Sequence, residues 1–360
     1  MRKRIAFLSF AAALALCYSC SNDETVAVND NAASNEISFR PLVNNMTRAK
    51  DITSAGDIQT INAYATKASD ASSVYFANEV FTGPTTYTSA AKHYWPSYNL
   101  DFYAWSAYSV TNGDARSQVS TSTYNSYVVT PSTTAADQAD FIYASATNVS
   151  QASSATGVAL AFTHKESRIL VQVKNTANDL SFEVTGWKLG FMVPNGTWNG
   201  SAWTSPGTAT ASTIYTSDFT ANAQTIAYHA SNTTALNGSQ IMIPQSITAP
   251  TAYASSSAGA AITGPFIGIE YKATNTTVEP DEVMQAKIWG IWPIPTIAEG
   301  WEAGKQYTYT IDLADGGYFE TNQSTTDEKL DPIFGGKLIK FVSVTITDWD
   351  TTPGTTNVPM

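Results

Sequence analysis

The chain is poor in the residues that most chemistry needs. It has two cysteines in 360 residues, and both, Cys17 and Cys20, fall within the first twenty. The remainder can therefore hold no internal disulfide, no thiolate metal site and no cysteine nucleophile. There are three histidines, His93, His164 and His229, and no H-E-x-x-H pair among them. G-x-S-x-G, G-x-x-x-x-G-K and G-x-G-x-x-G are also missing, which removes the usual sequence signs of hydrolases and nucleotide binders. Charged residues make up 14% of the chain, against about 25% in an ordinary soluble domain. The net charge of −11 repels phosphate backbones, so no nucleic-acid partner is expected. No convincing amphipathic helix longer than about three turns is visible.

One apolar run stands near the start. Arg2, Lys3 and Arg4 precede Ile5 to Leu16. That run is too short to cross roughly 30 Å of hydrocarbon as a helix, and it reads as a secretory signal. The run ends Cys17-Tyr18-Ser19-Cys20-Ser21-Asn22-Asp23-Glu24, which resembles a bacterial lipobox. Small Ser19 before Cys20 favours Cys20 as the lipidated residue. The competing Cys17 follows bulky Leu16, where a small residue is wanted. Acyl chains of a lipoprotein would make the anchor firm, because each buried CH₂ adds about 0.8 kcal/mol. Residues 1–19 are thus expected to be removed, and 20–35, polar and nearly free of large apolar side chains, to form a tether.

From Glu36 onward the pattern alternates with period two. Ile169, Val171 and Val173 share one face, as do Trp187, Leu189, Phe191 and Val193. Tyr307, Tyr309, Ile311 and Leu313 repeat the pattern, then Val342, Val344 and Ile346. Phe266 to Tyr271 and Lys287 to Trp292 are apolar on both faces and read as strands between layers. Asn112-Gly113, Asn195-Gly196, Asn237-Gly238 and Asp315-Gly316 mark turns. Short strands with frequent turns predict an all-β chain of sandwiches or barrels. The polar stretch Asn175 to Asp179 divides it into expected units of residues 36–175 and 176–360.

Carboxylate pairs such as Asp281-Glu282 and Asp348 with Asp350 occur. Neighbours on a strand point to opposite faces, so adjacency does not make a catalytic pair. His164 reads as a hydrogen-bonded edge residue. No catalytic residue, metal site or cofactor is expected. Trp198 and Trp203 lie in a loop rich in Asn, Gly, Ser and Pro. They are the candidate glycan contacts, with packing over the end of a sandwich as the alternative.

Several segments together resemble the fimbrillin-like proteins of Bacteroidota. After the signal come Glu36-Ile37-Ser38-Phe39-Arg40 and Thr47-Arg48-Ala49. Tyr94-Trp95-Pro96 leads into Leu100-Asp101-Phe102-Tyr103-Ala104-Trp105, followed by Asp140-Phe141-Ile142-Tyr143-Ala144 and Leu160-Ala161-Phe162-Thr163-His164. Trp301 to Tyr307 and Val344 to Trp349 complete the series. The resemblance implies two tandem β-sandwich domains of transthyretin-like, Greek-key type. It also implies a surface lipoprotein of the outer membrane that is cut after an arginine behind its first strand. Another subunit's strand then fills the vacated groove. The matching residues here are Arg48 for the cut and Ile37 and Phe39 for the displaced strand. Expected partners are other fimbrillin subunits, the outer membrane through the lipid, and surface glycans or proteins. The end of the chain, with Pro353, Pro359 and many threonines, makes a poor donor strand. A tip or accessory subunit is therefore expected over a stalk subunit, with a stand-alone glycan-binding lipoprotein as the alternative.

Overall fold

The computed structural model describes residues 35–43, 58–106, 118–124, 126–204, 206–210, 212–250, 260–261, 264–315, 318–320, 329–332, 341–349 and 356–358. Among the described residues there is no α-helix, only strands and short 3₁₀ turns. The signal segment, the tether up to residue 34, both cysteines and Arg48 lie outside them.

The first strands are β1 (Phe39–Val43), β2 (Thr60–Lys67), β3 (Asp70–Thr82), β4 (Thr88–Ser89), β5 (Leu100–Ser106), β6 (Gln118–Thr123), β7 (Ser126–Thr130), β8 (Ile142–Val149) and β9 (Val158–His164). Seven of them form one sheet in the order β1-β9-β8-β5-β2-β3-β4. A bridge between Phe39 and Tyr87 sets the first strand beside the residue that leads into the last. The sheet thus closes on itself, which gives one layer an inside. That inside is filled by Phe39, Phe76, Phe81, Phe102, Leu160 and Phe162 with their neighbours. Alternation supplies these side chains: β9 reads buried, exposed, buried along its whole length.

The second series is β10 (Ser167–Asn175), β11 (Leu180–Gly190), β12 (Gly196–Trp198), β13 (Trp203–Thr204), β14 (Ile214–Asp218), β15 (Gln224–Ile226), β16 (Ala230–Ala235), β17 (Gln240–Met242) and β18 (Gln245–Ile247). It continues with β19 (Ala260–Ala261), β20 (Phe266–Asn275), β21 (Glu282–Pro293), β22 (Ile297–Trp301), β23 (Lys305–Asp312), β24 (Tyr318–Glu320), β25 (Lys329–Pro332), β26 (Phe341–Asp348) and β27 (Thr356–Val358). One sheet runs β16-β10-β23-β26-β27 and another β14-β11-β20-β21-β24-β25-β19. Ile169, Val171, Val173, Tyr307, Tyr309 and Ile311 from the first meet Phe182, Trp187, Leu189, Ile267, Ile269 and Tyr271 from the second. This is face-to-face packing of two sheets over a shared apolar layer. Trp292 is 1% exposed in the same core, while Trp289 is half-buried under the Lys188 ammonium, 4.6 Å from its ring.

Strand β10 was expected to close the unit 36–175. It pairs in parallel with β23 from Arg168↔Gln306 to Lys174↔Asp312, and its apolar face lies in the second core. Sequence position and spatial membership therefore part at residues 165–166. A small sheet in the order β13-β12-β7-β6 crosses that seam. Its register sets Trp198 opposite Tyr127 and Gly196 opposite Val129.

Candidate functional site

The first strand carries the assembly expectation, so its setting comes first. Ile37 and Phe39 are both completely buried. The Phe39 ring meets Phe81 edge-on at 4.6 Å and Phe102 at 5.2 Å. Such contacts contribute beyond the area they bury. Beyond them Arg40 is half-buried, and Leu42 is 40% exposed.

The backbone of this segment is bonded on both edges. On one side β1 runs parallel to β9 from Phe39↔Val158 to Val43↔Phe162. On the other, Phe39 N donates to Tyr87 O at 3.0 Å and Tyr87 N to Phe39 O at 2.9 Å. Ile37 N donates to His93 O at 2.7 Å, and Trp95 N to Asn35 O at 2.8 Å. The segment is thus an inserted stave: main-chain bonds left and right, two apolar knobs inward.

A family model for fimbrillin-like proteins matches residues 47–349. The chain belongs to the fimbrillin-like family. No curated protein matches it. A fimbrial protein from Bacteroides vulgatus ATCC 8482 is similar in fold, with a TM-score of 0.53 at 15% identity, over 87% of this chain and 99% of its own. A protein assigned to cell adhesion from Bacteroides uniformis ATCC 8492 gives 0.44 at 14% identity, over 87% and 98%. At 15% identity the likeness to the fimbrial protein reaches the fold and no further.

In this fimbrillin-like chain the two candidate glycan tryptophans sit at the seam. Trp198 is 5% exposed. Its ring lies 5.9 Å from Tyr143 and 5.8 Å from Trp203, with the Lys165 ammonium 4.9 Å from its centre. Trp203 is half-buried and donates its indole N–H to Lys165 O at 2.5 Å. Both belong to a third cluster with Trp105, Tyr127, Phe141 and Ile243. Large apolar side chains left in the open include Tyr94, at 50%, and Tyr98, at 38%.

Sequence reasoning missed the charged group beside this cluster. His164 is interior, not at an edge: its Nδ1 lies 2.5 Å from an Asp140 oxygen, with both side chains almost fully buried. Its ring stacks on Trp349 at 4.1 Å and 6°. Glu166 is 0% exposed and accepts from Phe141 N at 2.8 Å. Burial first, and then the Asp140 charge, push its carboxyl up to about 8, against the Phe141 N–H and His164, which favour the ionised form. The same turn is tied to the far sheets, since Gly304 N donates to Glu166 O and Trp349 N to Gly304 O. No local signal marks this group, because its members meet only through the fold. Among the described residues, no cluster of three or more histidine, cysteine or acidic side chains is placed to hold a metal ion. Asp348 pairs with Lys305 across β23 and β26.

Proposed function

We propose that this chain is a cell-surface fimbrial subunit that assembles by β-strand addition. The observation that carries the reading is the inserted first strand, bonded on both edges with Ile37 and Phe39 as buried knobs. Main-chain bonds would supply affinity and the two pockets register. In this reading Cys20 carries the lipid that holds the precursor on the outer membrane, and cleavage after Arg48 frees the strand. Residues 36–164 then form the accepting unit and residues from Ser167 onward the second. A tip or accessory place is favoured over a stalk place. Beyond Trp349 the sequence is rich in proline and threonine, and residues 356–358 pair back on β26 of their own chain. A catalytic role has no support in the residues or the family.

The test is limited proteolysis of the full-length protein in detergent with a low dose of an Arg-specific protease. Mass spectrometry locates the cut, and a gel run without boiling shows any ladder. Expected is a cut after Arg48, release of the segment bearing Ile37 and Phe39, and capture of a synthetic peptide spanning residues 35–43. An Arg48 bond that resists cleavage in a chain that stays monomeric would sink the mechanism and leave a stand-alone surface lipoprotein.

A further inference from the structure

A cavity of about 510 Å³ opens where the two groups of sheets meet. Ligand pockets usually hold roughly 300–1,000 Å³ and favour domain junctions. One wall is the 3₁₀ turn Ala135–Asp137 of the first group, the others are β10, the end of β14 and the short connection between β16 and β17.

The walls are braced before any ligand arrives. Thr216 N donates to Thr133 O at 2.7 Å. Gln138 donates to Ser132 O and accepts from Ile241 N at 2.6 Å, tying one group of sheets to the other. Gly238 has φ +84°, and a Cβ there would lie 2.5 Å from Ser217 Oγ, so the connection at this rim fits only glycine. Asn237 uses its backbone, not its side chain, for structure: its carbonyl takes the Trp187 indole N–H at 2.9 Å and its N–H meets Gln224 Oε1 at 2.9 Å. A preformed wall saves a ligand the ordering cost that weakens binding to mobile loops.

The lining has a definite chemistry. Leu170, Phe219 and Leu236 give an apolar side. The Arg168 guanidinium, only 5% exposed, gives donors at depth and also holds Gln306 Oε1 at 3.3 Å. Asp218 at the mouth is ionised: the Thr220 N–H and hydroxyl, both at 2.8 Å on Oδ1, hold its carboxyl below the usual range. Asn237 also lines the cavity. One acid, one base, amides and hydroxyls beside an apolar wall disfavour an anion, as does the net charge of −11. They suit a ring that has hydroxyls on its edge and C–H groups on its face.

We propose that this cavity binds a neutral hexopyranose, free or at the end of a glycan chain. Asp218 accepts from ring hydroxyls, Arg168 and Asn237 donate to them, and Leu236 and Phe219 meet the C–H face. The site is independent of strand addition and of the Trp198 loop. It gives a fimbrial subunit a contact that does not consume its acceptor groove.

Methyl glycosides of glucose, galactose, mannose and N-acetylglucosamine are titrated into the full-length protein in detergent, with saturation-transfer NMR and melting temperature as readouts. At least one is expected to saturate with Kd of about 1 mM or tighter, and to raise the melting temperature as it does so. Asn237→Ala, which leaves both backbone bonds in place, is expected to weaken that sugar by about tenfold, the loss of one well-placed hydrogen bond. Ala136→Trp fills the mouth and is expected to abolish binding. Tyr98→Ala, outside the cavity's lining, is expected to leave it unchanged. Failure of all four sugars to saturate overturns the site. So does saturation that Asn237→Ala and Ala136→Trp leave untouched. Either result leaves the strand-addition reading where it stood, because peptide capture is measured separately.

Discussion

Trp198→Ala is expected to lower the unfolding free energy by about 3–5 kcal/mol, the cost of deleting a large buried aromatic side chain. Domains carry only about 5–15 kcal/mol in total, so the change is severe. The loss is one of packing. Among the described residues the Trp198 indole N–H meets no hydrogen-bond acceptor, and truncation strands no partner. What goes is the ring between Tyr143 and Trp203 and beneath Lys165. Because β12 pairs with β7 across the seam, the cavity would open where the two groups of sheets are joined. Urea unfolding of the wild-type chain is therefore expected as one transition, and that of the variant as two. Trp198→Phe fills most of the gap without the unpaired N–H and is expected to cost less than half as much. A variant that keeps full stability and a single transition would return Trp198 to the surface as a ligand contact.

Strand periodicity was legible in the sequence, and partnership was not. Ile169, Val171 and Val173 alternate, and β10 buries all three. Nothing in residues 167–175 says that their neighbour is β23, more than a hundred residues onward, since a pleated face specifies burial and not the partner. That is why a polar stretch after Lys174 looked like a boundary although the strand before it belongs to the second core. Local conformation broke one pattern: the alternation from Trp187 to Val193 stops at Gly190, because Phe191 takes φ +63° and turns the chain. Asn237-Gly238 does not reverse the chain: β16 and β17 both run antiparallel to β10, one after the other, and the pair makes a kink between them, with φ +84° at the glycine. Asn195-Gly196 instead opens β12, where a Cβ on Gly196 would stand 3.0 Å from Ile243 and 3.1 Å from Trp203. That glycine serves close packing and not a hairpin. Ile37 and Phe39 read as knobs from alternation, and both are buried. His164 read as an edge residue, and nothing in the sequence singled out Asp140 or Glu166 as interior, because a charge becomes interior only through neighbours distant in sequence.

Raising the pH is expected to weaken this fold through Glu166. In the folded chain burial pushes its carboxyl up to about 8, while an exposed glutamate in the unfolded chain titrates near 4.3. Between those values the folded state holds a proton that the unfolded state has released. Stability therefore falls as pH rises across that window, by at most about 1.4 kcal/mol per pH unit from this one group. Its contribution is complete below about pH 4.3 and gone once pH has passed through about 8. The carboxyl is faced by Asp140 before β8, His164 at the end of β9, the Phe141 N–H, and Tyr215 of β14. Glu166→Gln keeps an acceptor for the Phe141 N–H and removes the titration. The variant and wild type should then match near pH 4, diverge with rising pH, and hold a constant gap above pH 8, with the variant the more stable. Melting temperatures from pH 4 to 10 measure this directly. A gap that does not change with pH would mean that Glu166 is ionised in the fold, and that Asp140 and His164 do not leave it the proton. Since Glu166 O also holds Gly304, and Gly304 holds Trp349, ionisation at this point loads the seam itself: alkaline pH should split the unfolding of the wild-type chain into the same two transitions that Trp198→Ala produces at neutral pH.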